Sequence, residues 1–131
     1  MIVVDASALI DTLAVSPGRG TRERVRGDGD LRAPHVVDLE VLNSLRHLVL
    51  RGTVSADAAL AIRSAFAEIA ITRYPHMSLA DRIWELRNYF SANDAAYVAL
   101  AEALDAPLIT CDARLANAGK RIARIELFEG K

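Results

Sequence analysis

Three aspartates stand where the chain changes from one kind of segment to another. Asp5 closes the apolar run IVVD, Asp112 follows the apolar run PLITC, and Asp94 lies just inside the start of NDAAYVALAEALD. A glutamate, Glu40, sits near the start of a fourth segment, VVDLEVLNSLRHLVLRG. Each has a local explanation, because an acid at a helix start caps free N–H groups and favours the positive end of the helix dipole. Jointly they suggest more. Clustered carboxylates repel one another and take up protons unless a counterion is present. A hard cation such as Mg²⁺ takes oxygen ligands, needs only one or two carboxylates directly and keeps several waters. It can acidify a water and neutralise charge on a phosphate. Acids from four elements therefore suggest phosphodiester hydrolysis, while the residue types alone suit a phosphatase or a signalling aspartate pocket as well.

Most of the 17 acidic residues must be surface. Asp38 is two positions from Glu40, on roughly the other side of a helix, and is expected to be the cap. Asp11, Asp57, Asp81 and Asp105 read as helix-surface or capping residues. Asn43 is one helical turn from Glu40 and can reach the same pocket. His35, His47 and His76 are scattered without ligand spacing, which argues against zinc. No G-x-S-x-G, P-loop or G-x-G-x-x-G motif is present. Cys111 reads as a small buried residue in a strand rather than a nucleophile. Trp84, Tyr89, Phe90 and Tyr97 read as core or interface.

Strands are expected at IVVD, LRAP, ITRYP, PLITCD and IARIELF, with helices between them. Turns are expected at SPGRG (16–20) and GDGD (27–30), on either side of a short helix. Ser55 is a plausible N-cap, Ser78 and Asp81 form a candidate capping box, and Ser91 or Asn93 stands near the cap of the helix holding Asp94. Alternation of this kind gives a mostly parallel sheet covered on both faces. The working crevice of such a sheet lies beyond the carboxyl ends of its strands, at the point where strand order reverses. If IVVD and PLITC are neighbours, Asp5 and Asp112 face that crevice together.

The length of 131 residues fits one domain. A hydrophobic content of 52% excludes a disordered chain, and no stretch approaches the ~18 apolar residues of a membrane span. The start MIVVDASALID carries an acid where a secretory signal would carry bases. The one cysteine excludes an internal disulfide and fits the cytoplasm. A net charge of −1 is not that of a basic nucleic-acid binder, so RNA would need a local patch. The densest is GRGTRERVRG, with Arg19, Arg22, Arg24 and Arg26; the plain alternative is a solvated helix face.

At these residues the sequence resembles the PIN-domain ribonucleases, and more closely the VapC toxins of bacterial toxin–antitoxin pairs. IVVDASALID resembles the opening strand, with Ser7 two residues after its acid. PHVVDLEVLNSLRHLV resembles the segment with the helical glutamate, RIWELRNYFSANDAAYVALAEAL that with the third acid, and APLITCDARLA the Thr-x-Asp segment with the fourth. The resemblance runs over nearly the whole chain. It implies a three-layer α/β/α sandwich. It implies an acidic metal site of Asp5, Glu40, Asp94 and Asp112, with Ser7 and Thr110 orienting a carboxylate or a water. It implies Mg²⁺- or Mn²⁺-dependent hydrolysis of structured RNA, tRNA among the targets, a homodimer, and a VapB-type antitoxin whose peptide blocks the acids. Some relatives carry a further acid where this chain has Asn117. RNA could also contact Arg82 and Arg87 on the Trp84 helix. Rival readings are a PIN nuclease of RNA processing, a non-catalytic PIN-like binding module, and a receiver-like domain, which would want paired acids after its first strand.

Overall fold

The computed structural model describes residues 1–14 and 20–129. Arg19 and most of the SPGRG turn lie outside the described residues. The order is β1 (Ile2–Val4), α1 (Ala6–Leu13), α2 (Thr21–Asp28), β2 (Leu31–Pro34), α3 (Val37–Leu50), α4 (Ala56–Ala67), β3 (Ile71–Tyr74), a 3-10 turn (His76–Leu79), α5 (Ala80–Glu85), α6 (Ala92–Leu104), β4 (Leu108–Thr110), α7 (Ala113–Gly119) and β5 (Ile125–Leu127).

The five strands form one sheet in the order β3-β2-β1-β4-β5, and every pairing is parallel. Ile2, Val3, Val4, Leu108 and Ile109 are almost wholly buried, as strands covered on both faces require. From β1 the chain winds one way to β2 and β3, then crosses back to β4 and β5. Right-handed crossovers put the two halves' helices on opposite faces. Accordingly α1 packs with α2, α3 and α4, while α6 lies on β1, β2 and β4 and α7 on β4 and β5. The reversal falls between β1 and β4, so the crevice of such sheets opens beside Asp5 and Thr110.

Local signals account for several ends. Ser55 accepts from the Ala58 N–H at 3.1 Å, and Ser91 from the Asp94 N–H at 3.3 Å. Gly29 closes α2 with φ 77°, a conformation glycine adopts without strain. Three expectations need correction. Asp38 is not the cap of α3: that place belongs to Val36, and Asp38 instead makes a two-pronged ion pair with Arg73 on β3, both contacts at 2.8 Å. The Ser78–Asp81 box does not form, because a 3-10 turn precedes α5 and the Ser78 hydroxyl donates to the Pro75 carbonyl. Residues 113–119, given no element from sequence, form α7.

Candidate active site at the sheet switch point

Asp5 ends β1 and caps α1. Its Oδ1 accepts from the Ala8 N–H at 2.9 Å and from the Ser7 hydroxyl at 2.6 Å, and its Oδ2 accepts from the Thr110 hydroxyl at 2.5 Å. The two hydroxyls are themselves held by the turn after β4: the Cys111 N–H donates to Ser7 Oγ and the Asp112 N–H to Thr110 Oγ1, each at 2.9 Å. Residues more than a hundred positions apart thus fix one carboxylate. Asp5 is only 5% exposed, and burial pushes its carboxyl up to about 6, against the pull of its three donors. Cys111 is half-buried in this turn, 3.8 Å from the Thr21 hydroxyl, rather than buried in a strand.

Asp112 follows β4 and caps α7, its Oδ1 accepting from the Arg114 and Leu115 N–H groups at 3.0 and 3.2 Å. Glu40 lies in the first turn of α3 and Asp94 in the first turn of α6, both half-buried. Burial raises both carboxyls. For Glu40, neighbouring Tyr97 and Asn93 pull the other way while Asp94 pushes further up; for Asp94, the charge of Asp112 pushes up and Arg114 pulls down. Asn43 is exposed and lines a groove of about 620 Å³ with Glu40 and Asn93.

Tyr97 is core, as its sequence context predicts. It is 1% exposed on α6, and its surroundings are acidic. Burial drives its hydroxyl toward the neutral form, with Glu40, Asp5 and Asp94 adding to that. The hydroxyl faces Glu40 and favours its carboxylate, although the contact falls short of well-formed hydrogen-bond geometry. Nothing in the one-dimensional pattern marks its place beside the acids, since its burial and its acidic neighbours come from separate elements.

The four acids are linked electrostatically in a series: Asp5 feels Asp112, Asp112 acts on Asp94, and Asp94 acts on Glu40. Among the described residues, no three His, Cys, Asp or Glu side chains converge closely enough to enclose an ion by themselves. An all-oxygen, mutually repelling set of this kind fits a hard cation that keeps much of its water and takes few carboxylates directly.

The arginines separate sharply. Arg22 donates to the Thr12 carbonyl at 2.9 Å and also to that of Ala14. Arg24 pairs with Glu126 at 2.8 Å and with Asp28 at 3.6 Å, and Arg82 with Glu102 at 2.7 Å and Glu85 at 3.7 Å. Arg26 is exposed, but it lies near the C-terminal end of α2, where Asp28 holds the N-terminal ammonium at 3.0 Å. That is the start of β1, the end of the sheet opposite the acids. Arg87 lies over the Trp84 ring, 4.5 Å from its centroid. Arg114, which no sequence signal marks, is brought beside Asp94 by helix α7. Trp84 and Tyr89 are 67% and 68% exposed, so neither is core, whereas Phe90 is buried.

Comparison with known proteins supplies the family. The PIN domain family model matches residues 2–121. VapC ribonuclease Mb0985 of Mycobacterium bovis is 42% identical over 120 residues, 92% of either chain. Ribonuclease VapC12 of Mycobacterium tuberculosis is 39% identical over 128 residues, 97% of this chain and 98% of its own. Among solved structures, the crystal structure of PAE2754 from Pyrobaculum aerophilum aligns with TM-score 0.67 at 24% identity, over 95% of this chain and 81% of that one. Mycobacterium tuberculosis VapC20, a Sarcin-Ricin loop cleaving toxin, aligns with TM-score 0.65 at 19% identity, over 91% of this chain and 95% of its own. With a parallel sheet that reverses at Asp5 and relatives of this identity along nearly its full length, the chain belongs to the PIN-domain family, among the VapC ribonucleases.

Proposed function

We propose that this protein is an endoribonuclease, the toxin of a VapBC-type pair, hydrolysing phosphodiester bonds of structured RNA such as tRNA with the help of Mg²⁺ or Mn²⁺. The observation that carries the metal reading is the series of coupled carboxylates at the reversal point of the sheet. Asp5, Glu40, Asp94 and Asp112 would hold the cation. Once bound, it would supply an acidified water and charge neutralisation on the phosphate.

The chain's own residues do the rest of the positioning. Ser7 and Thr110 fix both oxygens of Asp5, so that carboxylate needs no reorganisation when substrate arrives. Glu40 and Asp94 are less constrained and can adjust to the ligand. Asn43 offers an amide to the groove beside Glu40. Of the arginines expected to meet RNA, Arg87 has the most open position; Arg22, Arg24 and Arg82 would have to leave protein partners first, and Arg26 faces the far end of the sheet.

Exposed Leu39, Leu42, Met77 and Trp84 border Glu40 and an apolar cleft of about 320 Å³ lined by Val36, Ile83 and Ala96. Leu50 and Leu60 are exposed as well. This apolar surface suits a cognate antitoxin peptide and a second copy of the chain, and co-expression with light scattering would measure both. No helix among the described residues is long and apolar enough to cross a membrane, and the expected place of action is the cytoplasm. The deciding experiment is RNA cleavage by the purified chain: EDTA should stop it and Mn²⁺ should restore it. Cleavage indifferent to chelation would remove the metal from the reaction.

A further inference from the structure

We propose that the cleft bordered by Arg87, Tyr89, Ser91, Asp94 and Arg114 is a subsite for an unpaired nucleotide of the RNA, next to the phosphate that is cut. The inference rests on the endoribonuclease reading and adds to it which residues outside the acids grip the RNA.

The cleft has a volume of about 410 Å³, within the roughly 300–1,000 Å³ of small-ligand sites. It is continuous with the acidic site, because Asp94 is a wall of one and a member of the other. Its two cations differ from the arginines that are tied to carboxylates. Arg24, Arg32, Arg73 and Arg82 each hold a carboxylate at 2.7–2.8 Å. Arg87 and Arg114 form no such ion pair among the described residues. The Arg87 guanidinium is kept in place by the Trp84 ring and by donation of one N–H to the Trp84 carbonyl at 2.9 Å, which leaves other donors for a phosphate. Arg114 is exposed on the first turn of α7, and its charge reaches Asp94.

Tyr89 completes the site. Its ring is 68% exposed while its neighbour Phe90 is 9% exposed, so the backbone here buries one aromatic and presents the next. A polyanion must approach four carboxylates on a chain of net charge −1, and it needs local cations to do so. An exposed ring beside two phosphate-ready guanidiniums is the arrangement that stacks a base and grips its backbone. A base can stack there only when splayed out of a helix, so the occupant is unpaired RNA and not duplex.

The test uses the full chain carrying Asp5→Asn to prevent turnover, a fluorescein-labelled 12-nucleotide single-stranded RNA of mixed sequence, and the same RNA annealed to its complement. Anisotropy should show Tyr89→Ala weakening single-strand binding by roughly 5- to 100-fold, with Tyr89→Phe close to the parent because the π-face remains. Duplex binding should change far less. Arg114→Ala should lower the slope of log affinity against log salt by about 1. Unchanged single-strand binding in Tyr89→Ala, or equal losses for single strand and duplex, would overturn the subsite. A change of assembly mass in Tyr89→Ala would also overturn it, by making the ring part of a protein interface. If the Asp5→Asn parent binds neither RNA and the wild-type chain cuts none with Mn²⁺, the endoribonuclease reading itself fails.

Discussion

The two halves of the acidic site are built differently. At the β1–β4 junction every oxygen of Asp5 has a donor, and both hydroxyl donors are pinned by backbone N–H groups of the β4–α7 turn. At the α3–α6 rim, Glu40 and Asp94 are half-buried, each raised further by another carboxylate, and the buried Tyr97 hydroxyl faces Glu40 without a well-formed hydrogen bond. The junction is complete as folded. The rim is held less tightly and carries the mutual repulsion of its carboxylates. The contrast follows from location: the junction is held by strand pairing, whereas the rim is the meeting of two helix starts. It suggests a division of labour, with a rigid carboxylate setting the position of the chemistry and adjustable ones meeting the ligand.

Several changes would break or sharpen this contrast. The largest effect belongs to charge at the rim. Asp94→Asn should cut RNA cleavage about a hundredfold or more, since several kcal/mol of charge stabilisation would go, while leaving thermal unfolding nearly unchanged. A cleavage rate within a fewfold of wild type would mean Asp94 is outside the chemistry. At the junction the cost should appear in stability. Thr110→Val strips Asp5 Oδ2 of its hydroxyl donor, and urea unfolding should show a loss of about 1–3 kcal/mol. An unaffected midpoint would show that the junction is not the rigid half.

The pH dependence comes next in size. Asp5 in the folded chain titrates near 6 rather than its ordinary 3.8, so the folded state binds the proton more tightly than the unfolded state. Stability of the metal-free protein should therefore rise as pH falls from 7.5 toward 5, with Asp5 supplying about 1 kcal/mol. Glu40 and Asp94 are shifted in the same direction and add to the trend. Calorimetry across this range should find the rise reduced in Asp5→Asn; an undiminished rise would place the titration elsewhere. The smallest effect is expected at Tyr97. Tyr97→Phe removes a buried hydroxyl whose contact with Glu40 is not a well-formed hydrogen bond, so metal-free stability should stay within about 0.5 kcal/mol of wild type. A loss as large as that of Thr110→Val would show that the rim is as fully bonded as the junction.

Much of this architecture was readable in the chain itself. Four of the strands were legible because short runs holding β-branched residues carry their own preference, LRAP because it lies between the GDGD turn and Pro34, and Ser55 because capping is settled within three residues. The failures were of a different kind. Asp38 looked like a cap, but a bidentate partner 35 residues away, Arg73, holds it instead. Helix α7 had a cap in Asp112 and apolar positions at Leu115 and Ala116, yet it is only seven residues long and its stability comes from packing on β4 and β5. Missing it hid Arg114. The basic run at 22–26 drew attention by its density, but density does not reveal that Arg24 is already neutralised by Glu126, over a hundred positions on.

The sequence by itself determined the alternation of strand and helix and the placing of acids at element ends, because propensity, periodicity and capping act over a few residues. It also held enough of the family pattern to indicate the chemistry. Only the tertiary structure decided that β1 and β4 are neighbours, that Ser7 and Thr110 close on the same carboxylate, that Tyr97 lies beneath the acids, and which arginines remain open. Those outcomes depend on crossover handedness and on contacts between residues up to about a hundred positions apart. No local preference encodes such a contact, because its energy exists only once the whole sheet has assembled.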